Sequence, residues 1–318
     1  MTRRLVLLTL AFGPLTGCGE IDREGMVMLL EPSVGAEIVL DNHDGISAPD
    51  GLLWSDGTLY IADEGGSAVR AWRPGERVRT LADSADGFAS PEDLAIDSAG
   101  NLFVTDDDAG GLRQVTPDGR VTAVPGASRI ASSEGLSLSP DGTLTVGDQA
   151  SSQVWAIGPD GRAAIFIAAK RGISKPESFA VDPSGNLYIG DDVNKALYLR
   201  RIDGTLASVV ANRDDFFPES LCLTARGLFI TDSEHGKVYR YSRDEGLVAI
   251  ATFGGTLANV QGIAIDPAGN IYLSVQKDLH NRRGYILRLN QAARPRASQS
   301  APPALALPRR AVRPNRAR

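Results

Sequence analysis

An all-β fold, a six-bladed β-propeller of four-stranded blades, is predicted by three observations. One unit recurs six times: PDGLLWSDGTLYIAD from Pro49, PEDLAIDSAGNLFVTD from Pro91, SEGLSLSPDGTLTVGD from Ser133, PESFAVDPSGNLYIGD from Pro176, PESLCLTARGLFITD from Pro218 and VQGIAIDPAGNIYLSV from Val260. The second residues of the copies, Asp50, Glu92, Glu134, Glu177, Glu219 and Gln261, are separated by 42, 42, 43, 42 and 42 residues. Each of the first five copies opens a stretch with four strand-like runs, and the sixth opens one with three. Such a sheet cannot bury both faces alone, so the copies must pack around a common axis.

Within a unit the elements follow in order. A short apolar strand comes first, then a turn such as DPSGN or SPDG, then a second strand of alternating character. After a polar loop a third strand follows (VYRYS, VWAIG, LRQVT), and a Gly-containing turn (PDGR, IDGT) leads to a fourth (VTAVP, AAIFIA, LASVV). The sixth copy supplies only a third strand, GYILRLN, before the chain turns to Pro, Ala and Arg. Its fourth is expected from GAEIVLD, about residues 35–41, because Gly35 precedes Asp50 by 15 residues, as Gly119 precedes Glu134 and Gly204 precedes Glu219. The propeller is thus expected over 35–290. VMLLEPS (27–33) also reads as a third strand, and either competes with GYILRLN or adds to an edge.

Composition narrows the function classes. The 318 residues carry a net charge of −6, with 42% hydrophobic and 23% charged residues, which suits a globular chain with a sizeable core. Seven of the arginines lie in the tail 291–318, which has no acid, and Arg3 and Arg4 open the chain. The part between is therefore far more acidic than the total suggests. Phosphate repels such a surface, so no nucleic-acid partner is expected, whereas cations and cationic partners are favoured. The tail cannot build a core and is expected to be disordered.

MTRR followed by the apolar LVLLTLAFGPL reads as a secretory leader, too short to span a bilayer, which needs about 20 residues. Leu15-Thr16-Gly17-Cys18 resembles the lipobox of bacterial lipoproteins. That resemblance implies cleavage after residue 17, acylation of Cys18 and a stable membrane anchor, with residues 18–34 a linker or edge strand. Gly19 rather than Asp after the cysteine implies outer-membrane sorting in a diderm. Cys222 is then without a disulfide partner and reads as a small core residue.

The units resemble NHL repeats, and the whole is similar to the senescence-marker-protein/gluconolactonase family of six-bladed propellers. The resemblance is carried by VDPSGNLYIGD, IDPAGNIYLS and PDGLLWSDGTLYIAD and covers about residues 35–290.

Strand polarity places the candidate chemistry. The first strand of a blade is innermost and the second runs antiparallel beside it, so the start of one and the end of the other share a face. Asp50, Glu92, Glu134, Glu177 and Glu219 are expected around the channel mouth, with Asp63, Asp106, Asp148, Asp191 and Asp232 one layer out. Asp at a strand-to-loop junction accepts hydrogen bonds from loop N–H groups, so the outer ring reads as structural. The inner carboxylates repel one another and must protonate, find cationic partners or share a metal. Ca²⁺, or another hard divalent cation taking oxygen ligands, suits them. Zinc does not, since His43, His235 and His280 are scattered. The alternative is neutralisation by Arg129, Arg171 and Arg213, each five or six residues before an inner Glu. Blade six departs from the pattern: it has Gln261 and Val275 in place of the acids and a longer loop bringing Lys277, His280, Arg282 and Arg283 to the same face.

Two functions follow. One is a lipid-anchored, monomeric binding module whose acidic face takes a small molecule, a cationic ligand or a protein partner, with Glu92, Gln261, His280, Arg282, Arg129, Arg171 and Arg213 as ligand contacts. The other is implied by the family resemblance: a metal-dependent lactone or ester hydrolase, with metal ligands falling on Asp50, Glu134, Glu177 and Glu219 and the base on Glu219. The family's Glu-Gly-Pro-x-Trp becomes Asp50-Gly51-Leu52-Leu53-Trp54, and its Asn ligands are replaced by Glu.

Overall fold

The computed structural model describes residues 6–8, 26–29, 34–211, 213–254, 259–278 and 283–291. Six antiparallel sheets surround a central channel, as the repeats predict. The first blade runs Pro49–Ser55, Thr58–Asp63, Ala68–Trp72 and Arg79–Ala82 from the axis outward, and the later repeats follow the same order. The ring closes where Val34–Leu40 pairs with Arg283–Gln291, in the register Leu289↔Ala36 and Gln291↔Val34. The segment expected near 35–41 is therefore the fourth strand of blade six.

The two-way reading of residues 27–33 is resolved. Met26–Leu29 pairs with the outer strand Gly246–Gly254 of blade five and does not compete for blade six. Val6–Leu8, within the apolar run read as a leader, pairs on the far side of Met26–Leu29. Cys18 and the tail beyond 291 lie outside the described residues.

Two features of the inner strands position the site. Pairing of the first and second strands shifts register at the strand start in all six blades, for example between Ser133 and Leu136 and between Pro218 and Leu221. A bulge re-aims the side chain that it carries. Here it carries the acidic position of each repeat. The next residue packs against the neighbouring blade: a Cβ on Gly51, Gly135 or Gly262 would lie 2.2, 2.4 or 2.3 Å from the backbone oxygen of Glu92, Glu177 or Asp50. Gly135→Ala should therefore force two inner strands apart and destabilise the fold by about 1–3 kcal/mol in urea unfolding. Gly45, which has open space around it but φ of 88°, should tolerate Ala only with backbone strain.

Between blades the core is aliphatic and aromatic. At the closure, Trp54 stacks on Tyr272 with ring centroids 5.0 Å apart, joining blades one and six. Val275, where the other blades have Asp, is fully buried.

Candidate functional site

The outer aspartates anchor loops, as their positions suggest. Asp63 accepts from the backbone N–H groups of Ser47 and Ala48 and from Arg70 Nε. Asp191 accepts from Ser174, Lys175 and Asn194 N–H groups, and Asp232 from those of Phe217 and His235. All five outer aspartates are buried. On the opposite face Asp97, Asp182 and Asp266 close their turns by accepting from Asn101, Asn186 and Asn270.

The inner carboxylates have a different environment. Asp50, Glu92, Glu134, Glu177 and Glu219 line one narrow constriction, together with Gly51, Asp93, Gly135, Ser178 and Ser220. A second set of side chains surrounds them, contributed by the residue after each outer position: Glu64, Asp107, Gln149, Asp192, Ser233 and Gln276. Gln149 Nε2 donates to Glu134 at 2.6 Å, and Ser233 Oγ donates to Glu219 at 2.7 Å. Gln276 Nε2 reaches Asp50 at 3.1 Å and Glu64 at 2.8 Å. Gln261 donates to Asn259 instead of lining the acidic group.

These contacts do not satisfy the ring. Ser90 Oγ lies 3.2 Å from Glu64 and 3.1 Å from Glu92, and its single proton cannot serve both. Burial, reinforced by Coulomb repulsion from neighbouring carboxylates, holds Asp50, Glu92 and Glu177 well above the usual carboxylate range. The same burial raises Glu134 to about 7, and raises Glu64 and Glu219 against hydrogen bonds that lower them. Without a cation, the mouth must take up protons.

One cation is built in. Lys175 Nζ lies 3.0 Å from Glu177 and 3.3 Å from Asp192. Its pKa is raised by these two carboxylates despite the opposing effect of burial. The arginines expected in this role are elsewhere. Arg213 forks onto Asp215 through Nε and Nη2, both at 3.0 Å. Arg129 and Arg171 sit in the 3₁₀ turns Ala127–Arg129 and Ala169–Arg171, exposed to solvent, with no ion pair to an inner carboxylate among the described residues. Those turns carry the long side chains outward. Lys175, only two residues before Glu177, is held close to it by the backbone. Lys175→Ala should cost about 1–3 kcal/mol in urea unfolding, less than a wholly buried pair would, with Glu177→Gln in the same chain restoring most of the loss.

Among the described residues, the carboxylates that come together closely enough to share an ion are Asp50, Glu64 and Glu92, each offering one oxygen within 4.8 Å of those of the other two. Three hard oxygen ligands with too few hydrogen-bond donors between them suit Ca²⁺ or Mg²⁺. Of the ligand set read from sequence, Asp50 belongs to this group. Glu134, Glu177 and Glu219 share the constriction but are engaged by Gln149, Lys175 and Ser233. Glu92, expected as a ligand contact, joins Asp50. Glu64 was not singled out, although it follows the repeated outer Asp directly. His280 and Arg282 lie outside the described residues.

No family model and no curated protein matches the chain. Solved structures do. A gluconolactonase from Xanthomonas campestris is 18% identical with a TM-score of 0.64, covering 84% of this chain and 90% of its own. A calcium-binding regucalcin from Agrobacterium tumefaciens is 16% identical with a TM-score of 0.61, covering 77% and 90%. A virginiamycin B lyase from Staphylococcus aureus is 14% identical with a TM-score of 0.59, covering 81% and 89%. At these identities the likeness establishes the propeller fold. Chemistry has to come from the site.

Proposed function

We propose that this chain is a ligand-binding propeller of the gluconolactonase and regucalcin type, anchored by lipidated Cys18 in a bacterial cell envelope and working through a Ca²⁺-binding channel mouth. The convergence of Asp50, Glu64 and Glu92 carries this reading. A hard cation there would answer the charge that Lys175 leaves unpaired, and would present a positive centre to an anionic or carbonyl group. The surrounding carboxylates would instead favour a cationic group on the same ligand or partner. Equilibrium dialysis against radioactive calcium should retain one ion per chain, and Glu64→Gln should lose it. Retention unchanged by Glu64→Gln would move the site elsewhere.

A second reading, a lactone or ester hydrolase, is favoured by one observation. Glu219 is held by Ser233 in the constriction, and burial raises its pKa, the direction that makes a carboxylate a stronger base. A divalent cation, when bound, would supply Lewis acidity for a carbonyl. Glu219 would take a proton from water, and Ser233 would fix the carboxylate's orientation. Hydrolysis of a lactone panel, abolished in Glu219→Gln with calcium binding retained, supports the hydrolase. Absence of turnover with calcium bound supports the binding module.

A further inference from the structure

Blade five differs from the others in what anchors its outer aspartate. The turn after its second strand, residues 233–236, serves two acids on the mouth face. Ser233 Oγ donates to Glu219 in the constriction at 2.7 Å, and His235 Nδ1 lies 3.1 and 3.2 Å from the two oxygens of Asp232. Asp232 is wholly buried and also accepts from the Phe217 and His235 N–H groups. An ionised carboxylate only accepts, so the neutral imidazole carries its proton on Nδ1 and leaves a lone pair on Nε2. Nε2 has no hydrogen-bond partner among the described residues, and the side chain is 30% exposed.

The corresponding residues of blades three and four are anchors too. Ser151 Oγ donates to Asp148 at 2.6 Å, and Asn194 Nδ2 donates to Asp191 at 2.7 Å. A hydroxyl or an amide anchors well but does not exchange a proton near neutral pH, whereas imidazole does. A buried carboxylate behind the ring fixes its tautomer and stabilises the imidazolium. Phe217 packs against the ring with centroids 5.3 Å apart, and Lys195 Nζ lies 4.7 Å from the centre of the same Phe217 ring. Phe217 stands two residues before Glu219, and Asp232 pairs with Pro218 between them. The start of one strand therefore seats both groups, Glu219 in the constriction and His235 one layer out.

We propose that His235, backed by Asp232, is the proton donor to the leaving oxygen in lactone or ester hydrolysis at the mouth. This rests on the hydrolase reading, in which Glu219 takes a proton from water. As the water oxygen bonds to the carbonyl carbon, one of its protons passes to Glu219. As the bond from that carbon to the ester oxygen breaks, the imidazolium gives its Nε2 proton to the departing alkoxide. One water is consumed, and the products are a carboxylic acid and an alcohol. Exchange with solvent then removes the proton from Glu219 and restores the one on His235.

Turnover of two six-membered lactones by the full chain in saturating calcium tests this. δ-Valerolactone must release a strongly basic alkoxide, whereas dihydrocoumarin releases a weakly basic phenoxide that departs with little help. His235→Asn keeps the anchor, as Asn194 does in blade four, and removes the donor. It should slow δ-valerolactone by about 100-fold or more, and slow dihydrocoumarin at least about tenfold less than that, with calcium retention kept. Nitrogen-15 NMR of the unaltered chain should find the neutral His235 ring protonated on Nδ1. Equal slowing of the two lactones, no slowing of either, or a ring protonated on Nε2 would each overturn the assignment and leave the hydrolase reading standing. No turnover of either lactone by the unaltered chain overturns both.

Discussion

In the absence of divalent cations the protein loses stability as pH rises from about 4.5 towards 8, the reverse of ordinary acid denaturation. The cause is the channel mouth. A carboxyl whose folded pKa is raised binds a proton in the native state at a pH where the unfolded chain has released it. Its stabilising protonation is complete below the unfolded pKa and is lost as pH climbs through the folded one. For Glu134 that window runs from 4.5 to about 7, and for the buried Asp93 from 3.8 to about 6. Asp50, Glu92 and Glu177 extend it upward, being held higher still by burial and mutual repulsion. Each group titrating within its window costs up to about 1.4 kcal/mol per pH unit. Groups shifted the other way, such as Asp215 at about 2 beside Arg213, act at lower pH and leave this range unaffected. Urea unfolding in chelator at successive pH values reads the slope directly. A flat or rising profile between pH 5 and 8 would mean that the carboxylates are already neutralised by the chain.

Glu92→Gln should stabilise the metal-free protein while weakening its hold on calcium. The substitution keeps the shape of the side chain and its contact with Ser90, but removes one of the charges crowding Asp50 and Glu134. At pH 8 the metal-free variant is expected to be more stable by about 1–2 kcal/mol, the value of roughly one unit of relieved pKa shift. Calcium affinity should fall at least about tenfold, because one of three convergent carboxylates is lost. A purely structural carboxylate would give the opposite signs: a destabilised variant whose response to calcium is unaltered. Improved stability at the expense of binding marks a site kept strained for function.

How much of this was legible in the sequence depended on repetition. The 42-residue spacing exposed the blades, their closure by the strand near 35–41 and the two rings of acids, because each is written several times over. The bulge that aims Asp50 and its counterparts leaves no separate mark, but it falls on the repeated acidic position. Features present in only one blade were harder to see. Glu64 occupies a position that holds Asp, Gln, Asp, Ser and Gln in the other blades. Lys175 occupies one that holds Ala, Ser, Ser, Phe and Asn. Neither looks like a pattern, yet the ring brings both against the inner carboxylates. The arginines misled for the reverse reason: a regular spacing suggested a common role, but the intervening 3₁₀ turns direct Arg129 and Arg171 to solvent.

The central claim is that the acidic mouth is a cation site. Its most direct test is a thermal melt of the full chain at pH 8, in saturating calcium and in chelator. At a calcium concentration about 100 times the dissociation constant, mass action contributes about 2.7 kcal/mol, so the melting temperature should rise by several degrees. The rise should shrink at pH 5, where protons compete for the same oxygens, and vanish in Glu64→Gln. Identical melting curves with and without calcium at pH 8 would contradict the claim.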